Sequence, residues 1–235
     1  MQQPVAIVFD TFGTVVDWRG SLIAELTAFG RERGINADWT ALVDSWRGAY
    51  HPSMDRVRKG EIAWTKLDDL HRASLDRLVG EFKITGLSEA DLQHINRGWH
   101  RLNPWPDAVP GLTRLKRRFI IGPLSNGNVS LLTNMAKHAG LPWDMVFGSD
   151  LFGHYKPDPE TYLGVARLLD LEPGQVMMAA AHNRDLNNAR KCGLMTAFFP
   201  RPAEYGPHQE RDTAAEQEWD IVATNIEDMA TKLGV

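Results

Sequence analysis

The feature that most restricts how this chain can fold is a change of hydrophobic period just after its first apolar run. Val5-Ala6-Ile7-Val8-Phe9 is continuous, β-rich and stops at Asp10 and the turn residue Gly13. An unbroken run of this length marks a strand covered on both faces, as in a parallel sheet. Comparable runs return only much later, at 119–124, 145–147, 176–180 and 196–199. Helical patterns separate these later runs. Leu112, Leu115 and Lys116 precede the second; Leu131, Leu132, Met135 and Ala136 follow it; Tyr162, Val165, Ala166 and Leu169 precede the fourth. Strand and helix in alternation predict an α/β fold with an open, mostly parallel, Rossmann-like sheet.

Residues 19 to 102 break the alternation. Only helical periods occur there: Leu22, Leu26 and Phe29; Trp39, Leu42, Val43, Trp46 and Tyr50; then Trp64, Leu67, Leu70, Leu75, Leu78 and Phe82. A fourth helix is expected from Ser88, with Asp91 as its capping partner. An all-helical cap inserted after the first strand accounts for this, with boundaries at 18–103 for the cap and at 1–17 and 104–235 for the core. Six of the eight tryptophans precede residue 106 and are expected to pack between cap helices. Pro104, Pro106, Pro110 and Gly111 mark the return to the core. The polar stretch 201–220 is expected to be a surface loop, before a short strand at Ile221-Val222 and a closing helix.

Composition removes several classes. With 26 basic and 30 acidic residues the net charge is -4, so no phosphate-neutralising face is expected and nucleic acid is not an expected partner. The single cysteine, Cys192, cannot close an intramolecular disulfide, which points to a reducing, cytoplasmic setting. Met1-Gln2-Gln3-Pro4 offers no basic leader region, and no apolar run approaches the ~20 residues that span a bilayer, so no membrane association is expected.

In open α/β sheets ligands sit at the carboxyl ends of the strands. Asp10, Ser125, Asn126 and Asp185 follow strands there, and the Tyr155-Lys156-Pro157 loop joins them. Asp10 is a candidate nucleophile for covalent catalysis. Lys156 beside two carboxylates would keep both ionised. Ser125 and Asn126 supply a hydroxyl and an amide for an anion.

Asp10-Thr11-Phe12-Gly13-Thr14, Ser125-Asn126-Gly127, Lys156-Pro157 and Asp185, in that order and with a helical cap after the first, resemble the four motifs of the haloacid dehalogenase superfamily. Most members are magnesium-dependent phosphatases, with an acid two residues after the nucleophile and two carboxylates in the fourth motif. Here those places hold Phe12 and Ala181. An aromatic at Phe12 and a metal-poor fourth motif are instead similar to the L-2-haloacid dehalogenases. That resemblance implies hydrolysis of a carbon–halogen bond of a 2-haloacid or haloacetate by water, through an ester on Asp10, with no metal and no cofactor. It further implies that Thr14, Ser125 and Lys156 orient Asp10, and that Ser125 binds the substrate carboxylate. Arg47 and Asn126 would receive halide, Phe12 would wall the pocket, and Tyr162 would lie near the carboxylate. A homodimer fits the same resemblance.

The fourth motif departs from that family. Ala180 and His182 stand where it has a serine and an asparagine, and Arg184 where it has a tryptophan. An imidazole titrates near neutrality, so His182 is expected to act as base for the deacylating water, with Asp185 three residues on orienting it. The extra cations suit small haloacetates, fluoroacetate included. A magnesium-dependent phosphatase on a small ester and a catalytically silent ligand-binding protein are the alternative readings.

Overall fold

In the computed structural model, which describes residues 3–235, the first apolar run forms β1 (Ala6–Phe9), buried along its length. Met1 and Gln2, the start of the expected 1–17 segment, lie outside the described residues. After the Asp10 loop the chain passes through β2 (Val16–Asp17) into α1 (Trp18–Arg33), where the Asp17 carboxylate accepts the Gly20 N–H at 2.8 Å and caps the helix. Then come α2 (Trp39–Gly48), α3 (Tyr50–Arg58), α4 (Leu67–Glu81) and α5 (Glu89–Asn96). The Ser88–Asp91 capping box opens α5. The chain returns through β3 (Asn103–Pro104), which pairs antiparallel with β2, so a two-stranded ribbon joins the helical insert to the sheet.

The remainder alternates: α6 (Ala108–Leu115), β4 (Ile120–Ser125), α7 (Val129–Ala139), β5 (Phe147–Gly148), α8 (Pro159–Leu168), β6 (Val176–Ala180), α9 (Asn183–Lys191), β7 (Met195–Phe198), β8 (Ile221–Val222) and α10 (Ile226–Lys232). The six-stranded sheet has the order β5-β4-β1-β6-β7-β8, and every pair in it is parallel. β1 is flanked by β4 and β6, so the crevice at the carboxyl end of β1 is where the order switches direction. Among the described residues no helix is long and apolar enough to cross a membrane.

Three expectations need correction. The helix expected over Trp39 to Tyr50 is two helices, because Pro52 has no N–H to give the Gly48 carbonyl and its ring would collide with it. The chain breaks at Ala49, and Pro52 falls in the first turn of α3, where its missing donor is not needed. Trp64 precedes α4 instead of starting it. The 201–220 stretch is not wholly a surface loop. Arg201 and Glu204 are buried, and the Arg201 guanidinium makes paired bonds of 2.7 and 2.9 Å to Asp107 while donating to the Thr14 carbonyl at 2.9 Å. Removing either partner would strand a buried charge, at about 3–5 kcal/mol.

Candidate active site

Asp10 extends β1 by one residue, with its N–H on the Ala179 carbonyl of β6 at 3.0 Å. The loop then folds tightly: the N–H groups of Val15 and Val16 both reach the Thr11 carbonyl. This brings Thr14 back over Asp10, four residues on. Its hydroxyl donates to Asp10 Oδ2 at 2.8 Å and accepts the N–H of Ala181, the residue just after β6, at 3.1 Å, which fixes the direction of that proton. Lys156 Nζ donates to Asp10 Oδ1 at 2.9 Å and to Asp185 Oδ2 at 2.5 Å. The lysine is held from behind, since its own N–H goes to Asn126 Oδ1 at 2.7 Å. Tyr162 donates to Asp185 Oδ1 at 2.6 Å. His182 touches Asp10 Oδ2 through Nδ1 at 2.9 Å and Glu204 Oε2 through Nε2 at 2.7 Å.

A carboxylate oxygen has two lone pairs. Those of Asp10 Oδ2 are both taken, by Thr14 and His182, while Oδ1 receives only Lys156. Oδ1 therefore keeps a free pair, and it is the oxygen equipped to attack. Burial alone would raise the Asp10 pKa, but the Lys156 charge and the His182 bond hold it far below the ordinary carboxylate range. Burial would likewise depress Lys156, yet Asp10 and Asp185 push it up. His182 behaves the same way: burial disfavours its charge, and Glu204 and Asp10 raise it well above 6.5. Lys156 and His182 thus alternate with Asp185, Asp10 and Glu204 in one buried cluster.

The insert supplies the opposite wall of a cavity of about 230 Å³ that Asp10, Asn126, Lys156, His182 and Asp185 line from below. Arg47 and Tyr50 face them, and the guanidinium lies over the Tyr50 ring at 4.3 Å and the Trp18 ring at 5.2 Å. Its Nη1 is buried with no hydrogen-bond partner among the described residues. A buried unpaired cationic donor is costly, so an anion reaching this nitrogen would satisfy it. Phe12 packs edge-on against Tyr50 and Trp99, and closes the floor with no proton to exchange.

Two expectations fail locally. Ser125 is buried, but its hydroxyl accepts the Gly127 N–H at 3.2 Å and no hydrogen bond among the described residues joins it to Asp10. Its place on Oδ2 is filled by Thr14 and His182. Asp185 does not orient His182: among the described residues its side chain is hydrogen-bonded to Lys156 and Tyr162, and Glu204 holds His182 Nε2 instead. Glu204 and Tyr50 were not legible as site residues in the sequence. Glu204 sits in a polar stretch with no period, and Tyr50 reads as one more apolar position of a helix.

A family model described as haloacid dehalogenase-like hydrolase matches residues 5–179. The chain belongs to the haloacid dehalogenase-like hydrolases. Within this family it is 54% identical to an L-2-haloacid dehalogenase of known structure, with 99% of each chain covered and a TM-score of 0.96. A second structure, a defluorinating L-2-haloacid dehalogenase, is 50% identical over 99% of this chain and 96% of its own, also with a TM-score of 0.96. An (S)-2-haloacid dehalogenase of Xanthobacter autotrophicus is 27% identical over 207 residues, 83% of this chain and 75% of that one. The L-2-haloacid dehalogenase resemblance of the four motifs is thereby confirmed.

Proposed function

We propose that this dehalogenase hydrolyses small L-2-haloacids and haloacetates through an ester on Asp10, without a metal ion. The observation that carries this reading is the pairing of Asp10 Oδ1, ionised and with a free lone pair, with the unpaired Arg47 Nη1 in the wall of the same cavity. Asp10 Oδ1 displaces halide from the α-carbon with inversion, and Arg47 and Asn126 take up the developing charge. Water then adds to Cγ, and the L-haloacid leaves as the D-2-hydroxy acid. Asp185, whose Oδ2 lies 2.5 Å from Lys156 Nζ, is the carboxylate that accepts the water's proton.

Support for metal independence comes from Phe12 and Ala181, which stand where the magnesium-dependent members carry carboxylates, and the two carboxylates left, Asp10 and Asp185, are bridged by Lys156. The division into a cap over 18–103 and a core over 1–17 and 104–235 is part of the reading, as is work in the cytoplasm, where Cys192 stays reduced. Fluoroacetate belongs to the expected range. The relative at 50% identity is described as defluorinating, and a charged donor with a free N–H suits fluoride, the strongest hydrogen-bond acceptor among the halides.

The test is halide release from L-2-chloropropionate, chloroacetate and fluoroacetate with EDTA present throughout, and with Asp10→Asn as control. Release under EDTA that the variant lacks supports the reading. Phosphate release from p-nitrophenyl phosphate only after magnesium is added, with no halide, would replace it with a phosphatase.

A further inference from the structure

His182 faces the reacting carboxylate, yet its geometry does not suit the deacylating base. We propose that His182 acts as a permanently charged hydrogen-bond donor which, with Thr14, holds Asp10 Oδ2 as the oxyanion of ester hydrolysis, and that Glu204 is the positioning residue that keeps it protonated. The inference rests on the dehalogenase reading above and concerns its second half.

The argument follows from which oxygen reacts. Alkylation at Oδ1 leaves Oδ2 as the ester carbonyl oxygen, and Oδ2 is the atom that the Thr14 hydroxyl and His182 Nδ1 already contact, at 2.8 and 2.9 Å. When water adds to Cγ, the carbonyl electron pair moves onto Oδ2, and the two donors are in place before the charge arrives. A base would need a bare Nδ1 facing the water. Here Nδ1 is spent on Oδ2, and Nε2 is spent on Glu204.

The balance of protons is explicit. Oδ1 bonds to the α-carbon as the carbon–halogen bond breaks, and halide leaves with its electron pair. Water oxygen bonds to Cγ, and its proton passes to Asp185. The tetrahedral adduct collapses by breaking the Cγ–Oδ1 bond. The departing alkoxide takes the proton from Asp185, and the remaining hydroxyl on Cγ ionises to solvent, restoring the carboxylate. One proton is thus released with the hydroxy acid, and His182 changes charge in no step.

Glu204 makes this possible. Esterification removes the negative charge of Asp10, which would let an isolated buried imidazolium lose its proton. Glu204 is 1% exposed and stays beside Nε2, anchored by the Trp18 indole N–H at 3.1 Å. Among the charged or titratable groups that line the cavity with His182 are Lys156, Asp185 and Arg184 from the core, Arg47, Tyr50 and His51 from the insert, and Tyr205, Arg211 and Asp212 from the 201–220 stretch. Arg47 lies 4.0 Å from the Glu204 carboxylate and opposes it in part.

A rapid-mixing single turnover with L-2-chloropropionate reads out halide, proton and hydroxy acid together. Protons that appear with the hydroxy acid, after halide, support the inference. Protons that appear with halide mean that His182 deprotonates on alkylation, and they overturn it. Failure to release halide at all would overturn the dehalogenase reading itself. Variants give a second measurement. Asn places Nδ2 where His places Nδ1, so His182→Asn should keep hydrolysis of the ester within about tenfold, while His182→Ala should lose about 10²–10³-fold and accumulate ester. Equal loss in both would restore the base. Glu204→Gln should move the alkaline limb of the hydrolysis step down by about a pH unit or more while the halide burst persists. An acid limb in its place, or a limb that does not move, refutes the role of Glu204.

Discussion

Glu204 occupies the space that a side chain on Gly13 would need: a Cβ built there falls 2.1 Å from the Glu204 carboxyl carbon. Gly13 also has φ +84°, in the left-handed region. The glycine of the Asp10 loop thus makes room for a residue nearly two hundred positions away. Gly13→Ala should lower stability by about 1–2 kcal/mol from backbone strain alone. It should also displace Glu204 from His182, so the variant should release halide in a burst and then turn over slowly. Urea unfolding and burst kinetics on the same preparation check both effects. Unchanged turnover would mean that the Glu204 contact is dispensable.

The oxygen balance makes a separate demand on Asp10. In a single turnover in ¹⁸O-labelled water, label should enter the Asp10 side chain while the hydroxy acid carries the unlabelled oxygen of Asp10. Peptide mass spectrometry locates it. Label found only in the hydroxy acid would mean direct attack of water on carbon and no ester. Asp10→Asn should show neither label nor halide.

The sheet and its ligand-bearing end were readable because buried parallel strands leave unbroken apolar runs, and because Asp10, Lys156 and Asp185 follow such runs in a fixed order. What was hidden depends on long-range packing. Glu204 packs into the space that Gly13 leaves by lacking a side chain, and Arg201, three residues before it, is tied to Asp107; neither contact leaves a local pattern. The spacing of His182 and Asp185 suggested a pair on one helical turn. His182 instead precedes α9 as its N-cap, with extended backbone, and its ring turns toward β1 and the 201–220 segment.

His71 of α4 gives the fold an acid sensitivity unrelated to catalysis. Its ring stacks on Trp99 at 4.3 Å, and neither ring nitrogen has a partner among the described residues. Burial lowers its pKa to about 3. The folded value lies below the unfolded one, so the neutral ring is at no disadvantage above pH 6.5, and stability is lost as pH falls from there toward 3. At about pH 5 the loss amounts to about 2 kcal/mol. His71→Phe should remove that increment, so that the gap between the two urea midpoints changes in its favour between neutral pH and about pH 5. A gap independent of pH would place the acid sensitivity elsewhere.

The mouth of the cavity carries Arg58, Arg184 and Arg211 beside His51. His51 reports the local potential: burial first, then the charges of Arg47 and Arg184, lower its pKa to about 4. Arg58 is neutralised by Asp55 and Asp158, at 2.9 and 2.8 Å, whereas Arg184 and Arg211 form no ion pair among the described residues. Their free charge should draw an anionic haloacid to the mouth, and salt should screen it over a Debye length of ~8–10 Å. The double variant Arg184→Gln, Arg211→Gln should therefore lose about two- to tenfold in kcat/KM at low ionic strength, converge on the wild type at high salt, and leave kcat nearly unchanged. Arg58→Gln should leave the salt dependence as it is. If the double variant kept the full salt dependence, the attraction would have to come from the buried cluster around Arg47 and Lys156, and the rim arginines would play no part in capture.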